Sequence, residues 1–476
     1  MSSTADDSRD LTATEAVEAG LDHHGAGQLA QAEALYRRAL DLEPEDADAL
    51  HLLGVIAQQR GDYQGAVDLI TRAIAADASF AGYHNNLGEA YRRLGKFDEA
   101  ERAYRQAIAL QPDFPEPHNN LGMILQKRRQ VNEAIDLYRR AIQLSPNFAE
   151  AYNNLGTTLM EKGLISEAVA AYQKALQLKR NYADAYSNLG FALGVQGAYD
   201  AAIESCERAV AANPDHHEAY RHMAALYDRK NERAKAEEAY RQALRCRPDS
   251  EETRYYLAAM TESNAPPVAP SGYVKLLFDN YAPMFDAHLA GALRYRAPQL
   301  IHEAIVAVKP PGKLDVLDLG CGTGLSGVAL RPLAASLVGV DLSPRMIEKA
   351  RQRNIYDQLL VADLTSAMEA LGRKFDLIAA SDVFVYIGDL APTFRAAADA
   401  IKPAGLFAFS VEVEDQADAY VLHRTRRYSH SLKYLRRLSE DHGFTEVSVS
   451  RKALRMERNK NVDGWIVILR ARSQGA

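Results

Sequence analysis

The sequence predicts two architectures in series, an α-solenoid followed by a doubly wound α/β domain. Three observations predict them. The first is a period of 34 residues through the first half of the chain. The second is the run Val316-Leu317-Asp318-Leu319-Gly320-Cys321-Gly322-Thr323-Gly324, which reads as a buried strand entering a glycine-rich turn and then a helix. The third is a set of short apolar runs beyond it, each closing on an acid and separated by helical stretches, the alternation of a parallel sheet.

Residues 1–12 read as a disordered tail, polar and acidic, with no apolar core of a signal peptide. The 476 residues exceed what one hydrophobic core organises. Apolar content of 47% and charged content of 25% belong to an ordinary soluble protein. A net charge of −7 argues against nucleic acid as a general partner. No apolar run is long enough to span a bilayer. Cys206, Cys246 and Cys321 stand far apart, without a C-x-x-C pair, so neither a metal site nor a disulfide framework is expected. The expected compartment is the cytoplasm.

From 13 to 250 the chain repeats. Ala32, Ala66, Ala100, Ala134, Ala168, Ala202 and Ala236 recur every 34 residues, followed four residues on by Tyr36, Ile70, Tyr104, Tyr138, Tyr172, Cys206 and Tyr240. Leu-Gly pairs at Gly54, Gly88, Gly122, Gly156 and Gly190 mark the first helix of units two to six. Ala100, Tyr104 and Ala107 share one helical face at i, i+4, i+7. One hairpin cannot bury such a face, so stacking into a superhelix with a concave groove follows. This resembles the tetratricopeptide (TPR) pattern, with seven units in register. Residues 251–263 read as the capping helix, with Tyr255, Tyr256 and Leu257 facing inward. The run 264–272 holds Pro266, Pro267 and Pro270 and reads as a fairly stiff linker.

Within the repeats, Asn86, Asn120, Asn154 and Asn188 occupy one position of units three to six, preceded by Asn85, Asn119, Asn153 and Ser187. The equivalents at the ends are Glu18, Leu52 and His222. The segment is similar to the TPR array of the O-linked N-acetylglucosamine transferases, where such asparagines line the concave wall. The resemblance implies a groove that reads a protein or peptide backbone through amides, each with one acceptor and two donors. The alternative is an asparagine that satisfies neighbouring turns or faces solvent.

Residues 273–472 form the expected α/β domain. Asp318 ends the first strand, where open α/β sheets bind ligands. Further strands end at Asp341, at Asp363 and, after Phe375-Asp376-Leu377-Ile378-Ala379-Ala380, at Ser381-Asp382. A dinucleotide register, Gly322-x-Gly324-x-x-Gly327, starts two residues too late after the apolar run. The pattern resembles the Rossmann-like class I S-adenosylmethionine (SAM) methyltransferases. That resemblance implies SAM as cofactor, held by Asp318, Gly320, Cys321, Gly322, Gly324, Asp341, Leu342, Asp363, Leu364 and Ser381. Asp341 would take the ribose hydroxyls, and Asp363 the adenine amino group.

Two more segments, Tyr281-Ala282-Pro283-Met284-Phe285-Asp286 and Tyr295-Arg296-Ala297-Pro298, with a late His430-Ser431, are similar to a group of predicted TPR-containing bacterial methyltransferases. They add Tyr281 and Arg296 to the implied cofactor site. His430 is a candidate base for a hydroxyl or ammonium acceptor, or else a cap of the following helix. The place after the fourth strand holds Ser381-Asp382-Val383-Phe384, not the Asn-Pro-Pro-aromatic run of amino-directed enzymes, which favours oxygen as acceptor. A basic run from Arg424 to Lys460 suggests an acidic substrate, or simply a solvated face. Three functions fit: a methyltransferase acting on a protein or protein-carried substrate captured by the repeats, a small-molecule O-methyltransferase whose repeats serve assembly or localisation, and a scaffold with a non-catalytic SAM domain.

Overall fold

The computed structural model describes residues 11–291, 293–457 and 460–473. The chain divides into two compact units, one ending at Glu232 and one beginning at Arg233. Most of the expected N-terminal tail lies outside the described residues, as does Arg458 of the basic run. Thr12 caps the first helix through a reciprocal capping box with Glu15, which satisfies two otherwise orphaned main-chain donors.

In the first unit the described residues form thirteen helices, from α1 (Ala13–Gly25) to α13 (His217–Arg229). Helices of 13 and 14 residues alternate along them, the paired helices of a TPR solenoid. The repeated alanines are fully buried where partner helices cross. The glycine of each first helix makes room for the large residue of the second. A Cβ on Gly88 would stand 2.6 Å from the Tyr104 ring, one on Gly122 2.8 Å from Tyr138 and one on Gly156 2.6 Å from Tyr172. Ile70 and Cys206 take the ring's place opposite Gly54 and Gly190.

The asparagines bond from repeat to repeat. Asn120 donates to Asn85 at 3.1 Å, Asn154 to Asn119 at 3.0 Å and Asn188 to Asn153 at 3.0 Å. The series continues past its asparagines. Asn86 donates to His51 Nε2 at 2.8 Å, and Ser187 Oγ meets His222 Nδ1 at 3.3 Å. Burial pushes both imidazoles down to about 4, so at neutral pH they are uncharged and keep a lone pair for the ladder.

The second unit opens with α14 (Arg233–Cys246) and α15 (Glu251–Thr261). The run expected as a linker is pinned to the domain that follows it. Ala269 N donates to Tyr386 O, Gly388 N and Asp389 N both donate to Pro267 O, and Tyr428 OH donates to Pro266 O. Tyr255 is fully buried and donates to Arg426 O at 2.6 Å. Then come α16 (Ser271–Tyr281), α17 (Phe285–Ala290) and α18 (Ala297–Val308).

The sheet unit alternates as expected: β1 (Leu314–Leu319), α19 (Leu325–Leu330), β2 (Ala334–Asp341), α20 (Pro344–Gln352), β3 (Gln358–Val361), α21 (Leu364–Ala370), β4 (Phe375–Ala380), α22 (Ala391–Ala400) and β5 (Ile401–Glu414). These strands lie in the order β3-β2-β1-β4-β5, all parallel. Beyond them are β6 (Tyr420–Leu422), β7 (Tyr428–Ser431), α23 (Leu432–Asp441), β8 (Phe444–Glu457) and β9 (Lys460–Ala471). The sheet is therefore not wholly parallel, because β9 pairs antiparallel with β5 and β8 with β9. One core lies on each face, one around Phe384, Phe394, Phe407 and Phe409, the other around Ile301, Val316, Leu337 and Ile468.

Gly122→Ala should lower the urea midpoint of the chain, because the new methyl must displace the Tyr138 ring. Overpacking of this kind costs about 1–3 kcal/mol. An unchanged midpoint would show that the repeats relax around the added carbon.

Candidate active site

β1 is buried along nearly its whole length and ends in a turn where Gly320, Gly322 and Gly324 have φ of +64°, +54° and +92°. L-residues with side chains rarely adopt such values. A Cβ on Gly322 would meet only Phe285, at 3.8 Å, so here the main chain is bare toward a cavity of about 760 Å³. Asp341, closing β2, accepts from Gly322 N at 2.9 Å and from Ser343 N at 2.8 Å. Ser343 Oγ in turn donates to Asp279 of α16 at 2.6 Å. Asp363, closing β3, caps α21 by accepting from Thr365 N and Ser366 N.

The cavity brings together Gly320, Cys321, Gly322, Asp341, Leu342, Asp363, Leu364, Ser381 and Tyr281. Three other expected residues lie off its wall. Asp318 is fully buried behind the turn, accepting from Ser326 Oγ at 2.7 Å and Tyr356 OH at 2.6 Å. Gly324 serves as the N-cap of α19. Arg296 is exposed, and its main-chain N donates to Leu454 O. Tyr356 reaches Asp318 by crossing Gly339, whose added Cβ would stand 2.8 Å from the ring, and Gly327, whose Cβ would meet the hydroxyl.

His430, expected as a base, is fully buried and absent from the cavity wall. Its Nε2 donates to Ile387 O and Gly388 O at 2.9 and 3.0 Å. Burial pushes its imidazole down to about 4. Ser431, its neighbour, caps α23.

A buried charge cluster forms another part of the wall. Arg455, 1% exposed, donates to both oxygens of Asp382 at 2.7 and 2.9 Å, to Glu457 at 2.8 Å and to Glu412. Arg427 pairs with Glu457. Asp382 carries a left-handed φ of +57°. Part of the basic run is compensated by such pairs: Lys433 with Asp418, Arg436 with Glu446, Arg451 with Asp415 and Asp463.

Sequence reasoning missed Tyr356, and gave Asp279 and Arg455 no individual role. The one available signal was Gly327 and Gly339, two glycines that no ligand-facing turn required.

A methyltransferase-domain model matches residues 288–449. TPR models match 17–81, 88–128, 127–163, 158–197, 183–216 and 217–250. The chain joins tetratricopeptide repeats to a methyltransferase domain. Its methyltransferase domain is 35% identical over 104 residues to a ubiquinone biosynthesis O-methyltransferase of Bartonella tribocorum, which is 21% of this chain and 42% of that protein. It is 36% identical over 100 residues to a malonyl-acyl-carrier-protein O-methyltransferase of Acetivibrio thermocellus, 21% of this chain and 35% of that one. The chain thus spans well under half the length of these relatives. A solved structure of MamA shares 31% identity over 34% of this chain and 95% of its own, with a TM-score of 0.31. Among the described residues, no helix is long and apolar enough to cross a membrane.

Burial raises the Asp318 carboxyl to about 7 against the hydrogen bonds from Tyr356 and Ser326. It raises Asp341 to about 6 against the bonds from Ser343 and Gly322. Unfolded carboxyls titrate near 4, so the folded state holds these protons more tightly. The stability these groups contribute is full below about pH 4 and is lost as pH rises through about 6–7. The melting temperature of the ligand-free protein should therefore fall from about pH 5 to about pH 8, and the fall should shrink in Asp318→Asn. An identical slope in the variant would exclude Asp318 as its source.

Proposed function

We propose that residues 273–472 bind S-adenosylmethionine and transfer its methyl group to an oxygen acceptor. The repeats at 13–250 recruit a protein or peptide, or a substrate carried by one, with 251–263 as their cap and 264–272 as the junction. The observation that carries this reading is the placement of Asp341 and Asp363. They close neighbouring parallel strands and stand on one cavity wall beside the bare main chain of Gly322.

The residues present suit the cofactor. Asp341 is positioned for the ribose hydroxyls, since each of its oxygens accepts one main-chain bond and has a lone pair left. Asp363 and Leu364, on the same wall, would hold the adenine. Asp318 acts from behind, setting the turn through Ser326 and Tyr356. Bound S-adenosylmethionine supplies an electrophilic methyl on a sulfonium. The dinucleotide register fits less well, because its third glycine, Gly327, is filled by the Tyr356 hydroxyl. Oxygen as acceptor draws support from the two relatives, both named as O-methyltransferases. His430 serves as a positioning residue, holding the 387–388 turn.

The asparagine ladder supports the recruiting role. After each rung, the donating amide of Asn120, Asn154 and Asn188 has a second N–H left. An extended backbone matches such a row of amides whatever its side chains.

Calorimetry with S-adenosylhomocysteine on the full chain tests the cofactor. Asp341→Ala should weaken binding by about 1.5–3 kcal/mol, roughly 10–100-fold. No binding to the unaltered protein would sink the enzyme reading. Replacing Asn86, Asn120, Asn154 and Asn188 together with Ala should abolish recovery of a host protein on the immobilised chain. The same variant should leave S-adenosylhomocysteine affinity unchanged. Equal recovery by both versions would make the ladder a purely structural device.

A further inference from the structure

Beyond the glycine turn the cavity wall is apolar, built from Val274, Leu277, Phe278, Phe285 and Leu289. Among the described residues, His288 of α17 is the only histidine on that wall. It is exposed, and its Nδ1 is hydrogen-bonded to the hydroxyl of Tyr281, which also lines the cavity. The two rings meet edge to face, with centroids 5.6 Å apart. Tyr281 is itself braced edge-on against Phe285 at 5.0 Å. In the tautomer in which Nδ1 donates to the tyrosine oxygen, Nε2 is an acceptor, and among the described residues nothing bonds to it. Besides the strand-end acids Asp341 and Asp363, the charged side chains on the cavity wall are Asp382, Arg427, Arg455 and Glu457, and each of these four is engaged within the buried charge cluster. Among the described residues, none of these four is left as a lone cation for a carboxylate or as an unpaired carboxylate base.

We propose that His288, oriented by Tyr281, is the base that deprotonates an acceptor hydroxyl carried on an apolar, phenol-like scaffold. This deepens the reading of the domain as an oxygen-directed methyltransferase and rests on it. The acceptor O–H proton passes to His288 Nε2. The oxygen pair forms the new bond to the methyl carbon of the sulfonium donor, whose C–S bond breaks with its pair retained by sulfur. The products are the methyl ether, the neutral thioether and an imidazolium that releases its proton to water. Histidine is suited to this exchange because it gains and loses a proton near neutral pH.

The test uses 4-nitrophenol, whose ionised form absorbs visible light, added to full-length protein saturated with S-adenosylhomocysteine. Buffer is set where free nitrophenol is mostly neutral. Binding should raise the ratio of ionised to neutral phenol roughly tenfold, the equivalent of one unit of pKa. His288→Gln should abolish the rise with S-adenosylhomocysteine affinity unchanged by calorimetry, and Tyr281→Phe should reduce it. An equal rise in His288→Gln, a bound phenol that stays neutral in the unaltered protein, or no bound phenol would each overturn the proposal. Absence of S-adenosylhomocysteine binding is read separately by calorimetry, and would remove the underlying reading and this proposal with it.

Discussion

The carboxylate of Asp341 accepts main-chain hydrogens from two loops at once, Gly322 after β1 and Ser343 after β2. The rest of the candidate site depends on that pair of hydrogen bonds. It ties the glycine turn to the neighbouring strand, and through Ser343 Oγ to Asp279 it ties down α16, which supplies part of the cavity wall. An acid held by two main-chain donors keeps its position without a cation. Each of its oxygens keeps a lone pair beyond the main-chain bond it accepts.

Charge elsewhere is managed by saturation. Arg455 is almost wholly buried, and a guanidinium withdrawn from water is tolerable only when its donors are met by acceptors of opposite charge. Asp382, Glu412 and Glu457 meet them, and Asp382 adopts a left-handed backbone where it does so. Removing one partner would leave an uncompensated buried charge, far more harmful than never having built the cluster. The cluster closes one part of the cavity with a wall whose charges are paired among themselves. That leaves the reactive chemistry to the apolar part, where Tyr281 and His288 stand.

Much of this was legible in residue spacing. The 34-residue alanine period and its glycine–tyrosine pairing are packing constraints, and helical geometry converts them directly into contacts such as Gly122 with Tyr138. The strand-end acids were legible because a parallel sheet places its ligand-facing residues at carboxyl ends. The alternation did not reveal the antiparallel β8–β9 edge. Asp318 and His430 were harder for one reason: a titratable side chain at a strand end looks the same in sequence whether it faces a cavity or a core. Asp318 turned inward because Gly327 and Gly339 leave space for Tyr356 behind the turn. His430 turned inward because β7 pairs between β5 and β6 and buries it over the carbonyls of Ile387 and Gly388.

By itself the sequence determined the two architectures, the repeat register and the glycine turn with acids closing its neighbouring strands. Each of these follows from local periodicity and backbone sterics, which a linear string records. Only the tertiary structure decided which polar groups meet. It placed Asn120 against Asn85, Arg455 against Asp382 and Tyr281 against His288. It also decided which basic residues are compensated, as Arg451 is by Asp415 and Asp463. Hydrogen bonds and ion pairs act over a few ångströms, and nearness across a fold is set by how helices and strands pack.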